Sequence, residues 1–355
     1  MLKWLKQYEP AVYKNIKHIF SVKDYIRYKL TGEAFAELTD VSGTNLLNLE
    51  TRNYDKDLLN LFGIPEIFNA LPPLRASTDI CGRITKEAAV VTGLKEGTPV
   101  SGGMFDIDAC GLAVGMTDES VLTVIVGTWS INEYIGKSRV ADGNVKMNSL
   151  YCMDGYYLVE ECSPTSIGNL EWFMENVTGK IDYAELNEAI EEIKPEENDL
   201  YYLPFVYASN EGGSERGALI GLTAGHTKYN VLRAIYEGVV FSHKSHIDKL
   251  LKSRGRPDSV RLAGGAVKSG VLVQMFADVL DFPIEIIADK ELGCFGACIA
   301  AGVACGLYES AEDAAARTVK ITSRVNPNKN NRAVYAQKYI KYREIIKALK
   351  GVWNL

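Results

Sequence analysis

The sequence is short of the patterns that mark metal, disulfide or polyanion chemistry. Its seven cysteines (Cys81, Cys110, Cys152, Cys162, Cys294, Cys298 and Cys305) form an odd set without C-x-x-C spacing. That excludes a paired disulfide framework and a zinc ribbon, and it fits a reducing cytoplasm. Histidines number four, and the one close pair, His243 and His246, has no further ligand nearby and reads as helix packing. No apolar run reaches membrane-spanning length, and Met1-Leu2-Lys3-Trp4-Leu5-Lys6 lacks the apolar core and cleavage site of a signal peptide, so no membrane partner is expected. The formal charge of -6 with dispersed basic residues leaves no electrostatic footprint for nucleic acid. The G-x-x-x-x-G-K-[ST], complete G-x-G-x-x-G and G-x-S-x-G motifs are all missing, which disfavours P-loop, Rossmann and α/β-hydrolase readings.

What is present is a chain of 355 residues, 47% hydrophobic, large enough for two domains that act on a small molecule. Residues 1 to 30 have an amphipathic helical pattern, and residues 40 to 80 are turn-rich with short helices, closed by Leu71-Pro72-Pro73-Leu74. From about residue 98 the pattern becomes β-branched strands ending in glycine and followed by helices, which predicts α/β layering. Expected strands are Thr98 to Ser101, 120 to 126, Tyr156 to Val159, Tyr201 to Val206 and Val260 to Ala263. Expected helices run from Ser163 through Phe173, Tyr229 to Leu251, Met275 to Leu280, Gly293 to Gly302 and 330 to 350. The small residues of Gly293 to Gly302 suit tight packing of that helix onto a sheet. The first domain is expected to end near Met116, dividing the chain into 1–116 and 117–355.

Three strand, glycine-turn and helix units, near residues 102, 127 and 264, could surround one nucleotide. In the first, Gly102-Gly103-Met104-Phe105-Asp106-Ile107-Asp108 presents a carboxylate out of a glycine turn. Asp106 is there either a helix N-cap, worth about 1 kcal/mol, or a general base. Asp108 completes a D-x-D pair of the kind that can hold a divalent ion. Residues two apart at a helix start share no face, however, so no metal site is assigned. Gly127-Thr128 and Gly264-Gly265-Ala266 with Ser269 read either as phosphate cradles built from backbone N–H groups or as ordinary strand-end turns. Glu160-Glu161 reads as an exposed strand end. A carboxylate beside anion-cradling turns points to phosphoryl transfer.

Taken together these segments resemble the FGGY family of carbohydrate kinases, over essentially the whole chain. The most specific match is Gly217-Ala218-Leu219-Ile220-Gly221-Leu222, then seven residues, then Asn230-Val231-Leu232-Arg233-Ala234-Ile235-Tyr236-Glu237, which is similar to the family's second signature. Trp4-Leu5-Lys6-Gln7 is similar to the tail of the first. The wording of Ser163 to Phe173 and of Tyr236 to His243 looks most like the family's L-xylulose and 3-keto-L-gulonate branch.

The resemblance implies an actin-like, hexokinase-like (ribonuclease H-like) ATPase fold of the α/β class, with the C-terminal domain complete and the N-terminal, sugar-binding domain partial. It implies ATP and Mg2+ as cofactors and a ketopentose or related sugar as substrate. Asp106 would be the catalytic base. Gly127 and Thr128 would meet the ATP phosphates, and Gly264, Gly265, Ala266 and Ser269 would hold the adenosine. Ala208, Ser209 and Asn210 would belong to a loop that approaches the phosphates. Ile107 stands where many members carry Asn or Gln, and Trp129 replaces a small residue. The family's opening strand and D-x-G-T-like turn do not occur here, so the expectation is the tail of domain one joined to a complete domain two. That arises from a truncated product, a fragment, or an upstream part encoded separately. Two other readings stay open: a non-catalytic nucleotide-binding fragment or interaction module, and a D-x-D metal-dependent transferase. A homodimer is compatible with the sequence, which does not decide the oligomeric state.

Overall fold

The β-branched run Val121–Val126 forms strand β1 of a seven-stranded mixed sheet. The others are β2 (Ser130–Gly136), β3 (Met147–Leu150), β4 (Tyr157–Ser163), β5 (Ser259–Ala263), β6 (Ile284–Ile287) and β7 (Ile321–Val325), in the spatial order β7-β6-β5-β1-β2-β4-β3. The computed structural model describes residues 1–354 except 142, 144, 210, 212, 289 and 290. Strand β5 runs parallel to both β1 and β6, whereas β2 pairs antiparallel with β1, β4 with β2, and the edge strand β3 with β4. The predicted α/β layering is therefore present.

Alternation along the strands gives each face of this sheet its own core. Leu122, Val124 and Val126 of β1 and Val260 and Leu262 of β5 pack with Ile235, Val239 and Phe276, which belong to the helices Lys228–Leu250 and Gly270–Leu280. On the opposite face, Ala263, Ile135 and Leu158 pack with Leu112, Ala113 and Ile299. Those partners come from the helices Asp106–Ala113 and Leu292–Ala304. The small residues of the latter serve a different contact from the one expected. A Cβ on Gly296 would lie 2.0 Å from the Ala109 carbonyl oxygen, so the close approach is between two helices rather than between helix and sheet.

The amphipathic opening is broken into the helices Leu2–Tyr8, Pro10–Lys14 and Val22–Thr31. Pro10 starts the second because it has no N–H to give to a continuing helix. The segment 36–101 contributes short helices and two-residue ladders, with one longer antiparallel pair, Ile80–Arg83 with Pro99–Ser101. Among the described residues no helix is long and apolar enough to cross a membrane.

Both residues of the histidine pair tie the long helix to the sheet. His243 Nδ1 donates to Asn132 Oδ1 at 2.8 Å, and its Nε2 accepts from Ser166 Oγ at 2.9 Å. His246 Nε2 meets Ser163 Oγ and its Nδ1 meets Glu161 Oε2, each at 3.1 Å. Glu160 and Glu161 are not an exposed strand end, since both are buried within β4. Glu161 faces the long helix, where burial raises its pKa but bonds from His246 and Lys249 outweigh that and lower it.

Burial holds His243 well below the ordinary histidine value of 6.5, with the His246 charge adding to the effect. A depressed folded-state pKa means that the unfolded chain takes up the proton first. The stability from a neutral His243 is therefore complete above pH 6.5 and is lost as the pH falls below it. Urea unfolding of the native protein and of His243→Gln, compared from about pH 7.5 to about pH 5.5, should show the native protein's advantage shrinking on acidification. An advantage that stayed constant over this range would contradict the assignment.

Candidate active site

Asp106 is the first residue of the helix Asp106–Ala113, and Phe105 occupies the N-cap position without a capping side chain. Asp106 is thus not the cap. Its Oδ1 accepts the Ile107 N–H at 2.9 Å while the residue stays exposed at the N-terminal end of the helix. Two glycines are required to bring the chain to this point. A Cβ on Gly102 would lie 2.3 Å from the Ala76 carbonyl oxygen, and Gly103 has φ +73°.

The turn is held from behind by residues that the sequence did not single out. Thr39 Oγ1 accepts the Phe105 N–H at 2.8 Å and donates to Glu37 Oε2 at 2.7 Å. Glu37, fully buried, also accepts from Ser77 Oγ at 2.8 Å and from the Thr39 and Asp40 amides, and it lies 3.2 Å from Lys23 Nζ. Arg27 Nη1 donates to the Gly102 carbonyl at 2.6 Å and pairs with Asp24 at 2.8 Å. Asp24 and Arg27 stand at i and i+3 on one helix, a visible signal. Their partners are scattered over three segments, which is not.

Asp108 does not join Asp106. It is fully buried, its Oδ1 accepts the Cys152 N–H at 2.9 Å, and burial pushes its carboxyl well above the usual range, with Glu37 adding to the effect. The same happens to Glu133, whose shift comes first from burial and then from Glu160, Asp108 and Asp106. Asp106 therefore lies within electrostatic reach of the acid-lined face of the sheet. No group of three or more His, Cys, Asp or Glu side chains among the described residues could hold a metal ion. The D-x-D pair is not such a site. Ile107 is half-buried and packs into the core beneath the helix, leaving Asp106 as the polar group at this end.

The other two turns lie side by side. Ile125 of β1 is in register with Ala263 of β5, and the turns after them, Gly127-Thr128 and Gly264-Gly265, leave at the same end of the sheet. Gly264 has φ +91°, and a Cβ there would lie 2.5 Å from the Val126 carbonyl oxygen. Thr128 and Trp129 at the tip are exposed, while the next residue, Ser130, is buried 3.1 Å from His243 Nδ1.

Beyond Gly264 a cavity of about 340 Å³ opens, lined by Gly265, Ala266, Lys268, Ser269 and Leu272 on one side. Ile167, Leu170 and Glu171, with Tyr183, Asn187 and Tyr236, complete it. The volume falls within the range of small-molecule sites, roughly 300–1,000 Å³. Tyr183 and Asn187 share a face at i and i+4 on the helix Tyr183–Glu192. Nothing in the local sequence shows what that face meets about 80 residues further along. Ser269 N-caps the helix Gly270–Leu280, accepting the Leu272 N–H at 3.3 Å. Ala208 and Ser209 are half-buried and lie outside the cavity lining, with Ser209 Oγ accepting the Glu211 N–H at 3.0 Å. Asn210 lies outside the described residues.

The arrangement is a pair of glycine turns beside a partly apolar cavity, with an exposed carboxylate on a helix packed against the same sheet. The profile of the FGGY family of carbohydrate kinases, N-terminal domain, matches residues 1–113, and that of its C-terminal domain matches residues 122–305. The chain belongs to this family. It is therefore a phosphotransferase that acts on a sugar. It is 39% identical over 352 residues to the L-xylulose/3-keto-L-gulonate kinase of Escherichia coli, covering 99% of this chain and 70% of the relative. A probable L-xylulose kinase of Pasteurella multocida is 36% identical, with 99% and 72% covered. Among solved structures, a ligand-bound xylulose kinase from Lactobacillus acidophilus superposes with a TM-score of 0.92 at 23% identity, covering 99% of this chain and 72% of that one. The xylulose kinase from Rhodospirillum rubrum gives 0.88 at 25% identity, with 100% and 72% covered. These neighbours carry the actin-like, ribonuclease H-like ATPase fold expected from the sequence.

Thr39→Val removes the acceptor of the Phe105 N–H and one donor to Glu37, and it should lower the unfolding free energy by about 1–3 kcal/mol in urea. Thr39→Ser keeps both bonds and should recover most of that loss. Equal destabilisation by the two would show that the hydroxyl does not hold the turn.

Proposed function

We propose that this kinase transfers the γ-phosphoryl group of MgATP to a hydroxyl of a ketopentose of the L-xylulose type, with Asp106 as general base. The observation that carries the substrate class is the 39% identity to the L-xylulose/3-keto-L-gulonate kinase along 99% of the chain. Residues 1–116 form the sugar side in this reading and residues 117–355 the nucleotide side.

Phosphoryl transfer asks little covalent chemistry of the protein and much alignment and charge neutralisation. Asp106 keeps Oδ2 for the sugar hydroxyl while Oδ1 is held by the Ile107 N–H. The proton passes to that carboxylate as the hydroxyl oxygen attacks phosphorus in line, and ADP leaves. The Gly127 N–H is spent on the Trp129 carbonyl at 3.2 Å, so the Gly127-Thr128 turn meets the phosphate oxygens through the Thr128 amide, and Gly264, Gly265, Ala266 and Ser269 hold the adenosine end. Ala208 and Ser209 approach the phosphates in this reading after a change in the loop that carries them. Mg2+ would come with the nucleotide and would supply charge neutralisation on the phosphates, with no protein ligand assigned to it. The seven free cysteines support a reducing, cytoplasmic setting.

The test is ADP formation by the purified protein with MgATP and a panel of ketopentoses. Turnover dependent on L-xylulose is expected. Asp106→Asn should lower kcat by about 10²–10⁴-fold while leaving ADP affinity within about twofold. Absence of sugar-dependent ADP formation, or near-normal kcat in Asp106→Asn, would overturn the reading.

A further inference from the structure

We propose that Asn187 reads the base of the bound nucleotide by donating its side-chain amide to N1 of adenine, which makes the cavity selective for adenine over guanine. The inference rests on the nucleotide reading of the cavity and adds the residue that recognises the base.

The argument starts from which end of the carboxamide is committed. Ser269 Oγ uses a lone pair on the Leu272 N–H, so its proton is available for Asn187 Oδ1, 2.7 Å away. The Tyr236 hydroxyl donates to the same oxygen at 3.2 Å. Burial pushes that phenol up to about 12, so it stays protonated and remains a donor at neutral pH. Two hydroxyl donors converging on one oxygen fix the orientation of the amide and leave Nδ2, with its two N–H groups, as the polar group it offers to the cavity. Asn187 lies in the cavity wall beside Gly265 and Ala266.

The remaining chemistry suits a purine. Ile167, Leu170 and Leu272 supply apolar walls for a flat ring. A fixed N–H donor needs an acceptor in the plane of that ring. Adenine offers three ring nitrogens with free lone pairs outside the glycosidic position. Guanine shares N3 and N7 with adenine but carries a proton on N1, where an N–H would meet an N–H, so the selection lies at N1. An unpaired donor in a desolvated site is costly, and that is how such a contact selects its ligand.

The test is isothermal titration of the full chain with ADP, with GDP, and with 1-deaza-, 3-deaza- and 7-deaza-ADP. Asn187→Asp retains an oxygen for Ser269 and Tyr236 but loses the donor, so it keeps the local network. Asn187→Leu removes both ends, and circular dichroism with a thermal melt checks that each variant is folded. The expected result is a loss of ADP affinity of about threefold to tenfold in both variants. 1-Deaza-ADP and GDP should bind the native protein more weakly by a similar factor, the 3-deaza and 7-deaza analogues should not, and the 1-deaza penalty should vanish in Asn187→Leu. If the folded variants bind ADP as the native protein does, or if the deaza penalty persists unchanged in Asn187→Leu, the role of Asn187 is overturned while the nucleotide reading stands. If the native protein binds no ADP, the nucleotide reading itself falls, and the proposal with it.

Discussion

The turn end of the central sheet depends on how closely the backbone at Gly264 approaches the end of β1. With the Val126 carbonyl oxygen 2.5 Å from the position a Cβ would take, and φ at +91°, no other residue fits without parting β1 from β5. That contact lets two neighbouring strands end in turns at the same edge. In open α/β sheets the carboxyl ends of parallel strands are where ligands collect, because backbone amides and helix N-termini point there. The cavity, the Ser269 cap and the hydroxyl network around Asn187 all follow from it.

Around the Asp106 helix, buried carboxyl groups are handled in two ways. Glu37 is surrounded by donors from Thr39, Asp40 and Ser77 and by the Lys23 ammonium, so each of its oxygens is bonded and it holds the turn before Asp106. Glu133 has no hydrogen-bond partner for either carboxyl oxygen among the described residues, and burial drives it toward the neutral form. An unpaired buried carboxylate gives up its charge, whereas a fully solvated-by-protein one keeps its place. Asp106, exposed at the first position of its helix, is under neither constraint.

Much of the architecture was legible because it is local. The β-branched run at 121–126, the glycine turns and the long helix at 228–250 each carry their own period and their own stop signals. The strands Ser130–Gly136, Met147–Leu150, Ile284–Ile287 and Ile321–Val325 were not expected. Two of them carry polar or charged residues at buried positions, such as Asn132, Glu133 and Ser149, which break the simple alternation. Glu160 and Glu161 misled for the same reason, since adjacent carboxylates suggest solvent until His246 and Lys249 are seen to meet one of them. The small-residue helix was rightly read as a close contact, but its partner, the Asp106 helix, lies nearly 190 residues away in the chain.

The sequence by itself determined the α/β class, the family, the carboxylate at 106 and the glycines that shape the turns. Those features depend on short spacings and on backbone conformations that only particular residues allow. Only the tertiary structure decided that Phe105 rather than Asp106 caps its helix, that Asp108 turns into the core, and that Thr39 and Glu37 stand behind the turn. It also decided that Asn187 shares a cavity wall with Ser269. These are contacts between segments tens of residues apart, and hydrogen-bond partners at that separation are chosen by packing rather than by spacing along the chain.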